Sequence, residues 1–222
     1  MVSIKSVYRL TIAYKFLMAI SGLILVGFLV MHVLGNLLVF TGTDAINQYA
    51  IKLREYPLLL WTARGVLILA ALSHIFAGIK LSLLNKGARP VSYQKAQSRK
   101  ASLASRTMVL SGFVVLGFVL YHLAHFTFKW THRDLFAYLE EHDVYSMLML
   151  SFKSLPVTAF YVLSIILLML HLSHGVSSFF QTLGINHSKY NTLIKALGPI
   201  LSVLLAFGFL IIPLSIFFRL IQ

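Results

Sequence analysis

The sequence predicts an all-α membrane protein with five transmembrane helices. Hydropathy, run length and the sidedness of charge carry that reading. The chain has 222 residues, is 59% hydrophobic with a mean hydropathy of +0.85, and is only 11% charged, against about 25% in a soluble domain. Crossing the hydrocarbon takes about 20 mostly apolar residues. Five stretches qualify, at 16–40, 60–84, 107–128, 157–180 and 197–220, within a single domain covering residues 1–222.

Each span has its own local logic. The first follows a basic segment, MVSIKSVYRLTIAYK, but its apolar run is too long for a signal-peptide core and ends in HVLGNLLVF, so it reads as a retained span. Pro57 and Pro156 precede the second and fourth, where proline suits a helix start. Pro213 in the fifth is expected to kink that helix. Cysteine is absent, so thiolate metal sites, disulfides and cysteine-ligated clusters are excluded for this chain. A metal here must be held by nitrogen or oxygen.

Charge gives the orientation, because cytoplasmic loops retain Lys and Arg. The N-terminal segment, the second-to-third connection and the fourth-to-fifth connection hold 12 of the 19 basic residues and no acid. All six acids, Asp44, Glu55, Asp134, Glu140, Glu141 and Asp143, fall on the other side. The N-terminus is therefore expected in the cytoplasm, and the formal charge of +13 reads as topology and lipid headgroup contact, not nucleic-acid binding. The stretch GARPVSYQKAQSRK reads first as a solvated or lipid-facing loop, with a partner-protein surface as the alternative.

An internal repeat gives the histidines their pattern. Residues 21–32, SGLILVGFLVMH, match residues 111–122, SGFVVLGFVLYH, so spans one and three carry one motif. His74 and His171 are each followed four residues later by glycine, Gly78 and Gly175, which relates spans two and four. At 1.5 Å per residue, His32 and His122 lie roughly 22 Å from the cytoplasmic face. His74 and His171 lie on the order of 10 Å from it in a core of ~30 Å. Two histidine pairs are thus expected, stacked with an offset of roughly 12 Å.

Two opposed imidazoles in hydrocarbon suit the iron of a b-type haem with no open position, a site for electron transfer. Ser21 and Ser111, eleven residues before His32 and His122, fall on nearly the same helix faces as those histidines. Gly35, Gly78 and Gly175 are expected near the rings. A single intramembrane histidine is more often a helix-to-helix hydrogen bond; four in two matched tiers reverse that preference. His125 and His174, three residues past His122 and His171, compete as ligands, but only the latter two complete the repeat. His132, His142 and His187 read as solvated loop residues. Arg64, Arg106 and Lys15, near span ends, are candidates for haem propionates, with snorkelling to headgroups the commoner role. A histidine-lined transporter or proton channel is the alternative class, as is a cytochrome b subunit of another quinone-linked enzyme. No Asp or Glu lies within any span, where a proton-coupled carrier often has one.

The segments GLILVGFLVMHVLGNLLVFTGTDAINQYA, ALSHIFAGIKL, LYHLAHFTF and HLSHGVSSFFQTLGIN resemble the five-helix, dihaem cytochrome b anchor of succinate:quinone oxidoreductases, the complex II family of succinate dehydrogenases and fumarate reductases. The resemblance covers nearly the whole chain. It implies a four-helix dihaem bundle with a peripheral fifth helix, in a bacterial cytoplasmic membrane. His32 and His122 would ligate the outer of two haem b groups, and His74 and His171 the inner. In the family an acid often stands at the position of His125, and small or amide residues at that of His174.

The resemblance also implies cytoplasmic partners: a flavoprotein subunit with covalent FAD and an iron-sulfur subunit, neither of whose motifs this chain carries. The basic loops, with HSKYN at 187–191, would dock them. A quinone, expected to be menaquinone, would react near the outer haem, with Glu55, Asp44 and Arg64 as candidates for proton handling. Two stacked haems would let an uphill reduction draw on the membrane potential, worth ~2.3 kcal/mol per charge per 100 mV. Association of complexes into a higher oligomer is compatible with the family.

Overall fold

The computed structural model describes residues 4–87, 107–140, 142–185 and 189–221, and every regular element among them is helical. In chain order these are α1 (Ile4–Leu37), a 3₁₀ turn (Leu38–Thr41), α2 (Thr43–Glu55), α3 (Pro57–Gly87) and α4 (Met108–His122). A π turn (Leu123–Thr127), α5 (Arg133–Phe136), α6 (Val144–Phe152), α7 (Leu155–Thr182) and α8 (Asn191–Phe217) complete the order. Five helices are long and apolar enough to span a bilayer: Arg9–Thr41, Pro57–Gly87, Met108–Thr127, Leu155–Thr182 and Asn191–Phe217. They overlap the five expected spans, the first and fifth starting at Arg9 and Asn191 where 16 and 197 were expected. Much of the basic second-to-third connection, Arg106 included, and His187 lie outside the described residues.

Local chemistry sets the helix ends. Gly42 closes the first span at φ 110°, a conformation that glycine adopts without steric cost. Helix α2 starts with Asp44 in its first turn and ends with Lys52 and Arg54, the charge order that the helix dipole favours. Its buried residues, Ile46 and Ala50, are four apart and so share one face. Pro57 opens α3 and Pro156 sits in the first turn of α7, where a missing N–H costs no helical bond. Helix α8 contains both Pro199 and Pro213 and runs on to Phe217, so neither proline ends the span.

Helices α2 and α6, which lie between spans, pack against each other. Asp143 caps α6 by accepting from the Ser146 backbone N–H at 3.0 Å, and it also accepts from the Asn47 side-chain amide at 3.1 Å. Asn47 in turn accepts from the Tyr145 N–H at 3.0 Å. Partial burial works to raise the Asp143 carboxyl, but the bonds from Ser146 and Asn47 outweigh it and hold the group below its ordinary value. A cluster of Val39, Ile46, Leu148, Phe152, Val157 and Ile216 seals this end.

The spans pack unequally. Helix α7 lies along α8 over the longest contact, α1 packs along α3, and α4 packs along α7. Helix α1 also touches α7 and α8. The apolar window of α8 is 44% buried, against 11% for that of the third span; large apolar side chains elsewhere point outward, as hydrocarbon contact requires. Small residues allow the close contacts. A Cβ on Gly208 would stand 2.7 Å from Val33 Cγ2, and one on Gly198 would meet Ser177 Oγ and, at 2.5 Å, the Ser173 carbonyl.

Candidate functional site

A cavity of about 3100 Å³ runs among α1, α3, α4 and α7 and is lined by His32, His74, His122 and His171. A pocket for one drug-sized ligand holds about 300–1,000 Å³, so this space admits more than one large group. Its lining is mainly apolar, including Phe28, Leu29, Leu116 and Leu168.

The histidines meet in two pairs, each joining different helices. The His32 and His122 ring centres are 5.8 Å apart, and those of His74 and His171 are 6.3 Å apart. An imidazole–metal bond is about 2 Å; two such bonds, plus about 1.1 Å from each nitrogen to its ring centre, span about 6 Å. Among the described residues no three His, Asp or Glu side chains converge as a metal site. A bare zinc needs three or four protein donors, whereas a two-donor site suits a metal that brings its remaining ligands with it. Two nitrogen donors at this spacing could hold a haem iron between them.

The pair expected nearer the cytoplasm, His74 and His171, meets matching serines of the repeat. Ser21 Oγ lies 3.3 Å from His74 Nδ1, and Ser111 Oγ lies 3.1 Å from His171 Nδ1. Met18 O also approaches His74 Nδ1, at 3.2 Å. Beside the serines, a Cβ on Gly22 would stand 3.2 Å from His74 Cε1, and one on Gly112 would stand 3.5 Å from His171 Cε1. Each Ser-Gly dipeptide therefore bonds and makes room for a histidine of the opposite tier. The eleven-residue spacing identified the helix face; the neighbour that the face meets is on another helix.

The glycines named from the sequence behave otherwise. A Cβ on Gly35 would stand 2.7 Å from Tyr49, one on Gly78 would stand 3.8 Å from Met18 Cε, and Gly175 has open space. All three line the cavity, but none of the three abuts a histidine ring.

In the His32–His122 pair, Phe28 stacks on His32 with ring centres 5.1 Å apart. Asn36 bonds the His32 carbonyl at 2.7 Å and reaches its Nδ1 at 3.3 Å. His122 Nδ1 lies 3.4 Å from the Tyr161 hydroxyl.

The π turn separates His122 from His125. Phe128 N–H bonds Leu123 O, five residues back, at 2.8 Å, which inserts an extra residue into the turn and rotates the residues beyond His122 about the helix axis. His122 faces α1, while His125 is fully buried and bonded through both nitrogens, to Tyr161 OH and Ser151 Oγ, each at 3.1 Å. His174 lines the cavity, with Nε2 3.1 Å from Ser178 Oγ.

The remaining candidates scatter. Arg64 lines the cavity, its guanidinium 4.9 Å from the centre of the Trp61 ring, and Lys15 lines it as well. Asp44 and Glu55, at the two ends of α2, are exposed and outside the lining. Tyr49 and Arg54 of the same helix do line it. His132 is exposed but its ring centre is 4.7 Å from that of His125. His142 is half-buried, its Nδ1 enclosed without a hydrogen-bond partner among the described residues, so it is not the solvated residue expected. Sequence reasoning missed Tyr161, Ser151, Asn36, Gly22 and Gly112; the Ser-Gly repeat was the available signal for the two glycines.

Comparison of the chain with protein families, with curated proteins and with solved structures found no match.

Proposed function

We propose that this chain is the dihaem cytochrome b anchor of a succinate:quinone oxidoreductase, carrying electrons between an iron-sulfur partner and membrane quinone. The observation that carries the reading is the meeting of four histidines from four helices in two pairs, with ring centres 5.8 Å and 6.3 Å apart. Haem bound at each pair would supply one-electron transfer. His32 and His122 would hold one group, and His74 and His171 the other. The Ser21 and Ser111 hydroxyls meet the His74 and His171 rings at Nδ1, which would leave Nε2 for the iron.

On this reading the N-terminus and the flavoprotein and iron-sulfur partners lie on the cytoplasmic side of a bacterial membrane, and α8 flanks the four haem-bearing helices. The quinone, by family likeness menaquinone, binds towards the outer pair. Arg64 lines the cavity and is therefore a better candidate there than Asp44 or Glu55. Dicarboxylate chemistry belongs to the partners, which carry FAD and the clusters.

The test is a reduced-minus-oxidised spectrum of the purified protein with haem quantified per chain. Two b-type haems are expected in the wild type, one or none in His171→Ala, and two in His174→Ala. A folded chain without haem would return the histidines to the transport alternative.

A further inference from the structure

The paired-histidine site leaves one buried imidazole without a task. His125 is 0% exposed, and its hydrogen bonds run in a direction that the partners impose. A carbonyl accepts and never donates, so Ser151, whose Oγ lies 2.6 Å from Met147 O, sends its single proton there. Ser151 Oγ must then accept from His125 Nε2, 3.1 Å away. In a neutral imidazole the other nitrogen is an acceptor, so His125 Nδ1 accepts from Tyr161 OH at 3.1 Å. That uses the only proton on Tyr161, whose oxygen is left to accept from His122 Nδ1 at 3.4 Å.

We infer that Ser151, His125 and Tyr161 form a directional hydrogen-bond chain, anchored on the Met147 carbonyl, that fixes His122 with its proton on Nδ1 and its Nε2 lone pair turned to the iron. The inference rests on the haem reading above. None of the three side chains touches the metal; they are positioning residues acting through His122. The inner tier reaches the same state in one step, because Met18 O and Ser21 Oγ lie directly against His74 Nδ1. The outer tier takes three steps and draws on α6, an element outside the five spans. The tautomer of an axial ligand thereby depends on the seating of α6 against α7.

A ligand N–H bonded to an oxygen is a stronger base, and losing such a partner typically costs 10–100-fold in metal affinity. In Ser151→Ala, His125 is free to place its proton on Nδ1. Tyr161 must then accept it, and its own proton turns towards His122. The change reaches the outer ligand without altering any residue that contacts it.

The experiment is a redox titration and low-temperature electron paramagnetic resonance of the isolated complex carrying wild type, Tyr161→Phe, Ser151→Ala or Ser151→Thr, with haem counted per chain. In Tyr161→Phe and Ser151→Ala the outer haem is expected to change its resonance signature and rise in midpoint, by about 59 mV for each tenfold loss of preference for the oxidised iron. The inner haem is expected to stay unmoved, and Ser151→Thr, which keeps the hydroxyl, to restore both outer signals. Should Tyr161→Phe not fold, the Ser151 pair decides alone. Two haems in the wild type and an unmoved outer signature in Ser151→Ala would overturn this inference and leave the functional reading intact. A folded wild type without haem overturns both.

Discussion

At the scale of single residues, the two inner histidines differ in a way that mutation can read. His171 has Ser111 Oγ at its Nδ1, whereas His74 has both Ser21 Oγ and the Met18 carbonyl. On the proposed haem reading, Ser111→Ala is therefore expected to weaken retention of the haem at the His74–His171 pair by 10–100-fold, and Ser21→Ala to do less, because the carbonyl remains. Equal losses, measured by haem transfer to an acceptor protein, would refute the distinction. The glycines differ likewise. A Cβ at Gly22 would stand 3.2 Å from His74, tighter than ordinary contact, and one at Gly112 would stand 3.5 Å from His171. Gly22→Ala is expected to shift the inner haem spectrum and Gly112→Ala to leave it near wild type. The four paired histidines were legible as residues because the repeat gave their depth. Which serine serves which ring was not, since eleven residues along a helix is about 16 Å and brings a different helix within reach.

At the scale of elements, one acid both caps α6 and bridges it to α2. Asp143→Ala removes a helix cap, worth about 1 kcal/mol, and the bond from Asn47. The native carboxyl lies below its ordinary value. Its stabilising contribution is thus present above the unfolded aspartate pKa of about 3.9 and lost as pH falls through the lower native value. The gap in thermal unfolding temperature between wild type and Asp143→Ala in detergent should be open at pH 7 and narrow on acidification below about pH 4. A gap constant with pH would remove Asp143 from that role. The α7–α8 contact makes a second claim. A methyl at Gly198 meets the Ser173 carbonyl and Ser177 of α7, so Gly198→Ala should cost about 1–3 kcal/mol as an overpacked core does. Unfolding in detergent measures it. The spans were legible from hydropathy alone; α2 and α6 were not named as helices, because each is too short for a membrane signal. Ile46 and Ala50, four residues apart, were a readable trace of α2.

At the scale of the whole molecule, the chain contains no cysteine, so single introduced thiols report sidedness without background. Cysteine at Asp44 or Tyr138 is expected to react with a membrane-impermeant maleimide added to intact cells, and cysteine at Lys86 only after lysis. The reverse pattern would invert the orientation. The sequence by itself determined the number of spans and their limits to within about seven residues, and it set the expected levels of the histidines and the expected sidedness. These depend on local composition and on a fixed rise per residue. Only the tertiary structure decided that His125 turns away from the cavity to Ser151, that the Ser-Gly pairs serve the opposite tier, and that α6 reaches His122 through Tyr161. Those contacts depend on how each helix is rotated about its own axis, and one π turn after His122 changes that rotation without leaving a hydropathy signal.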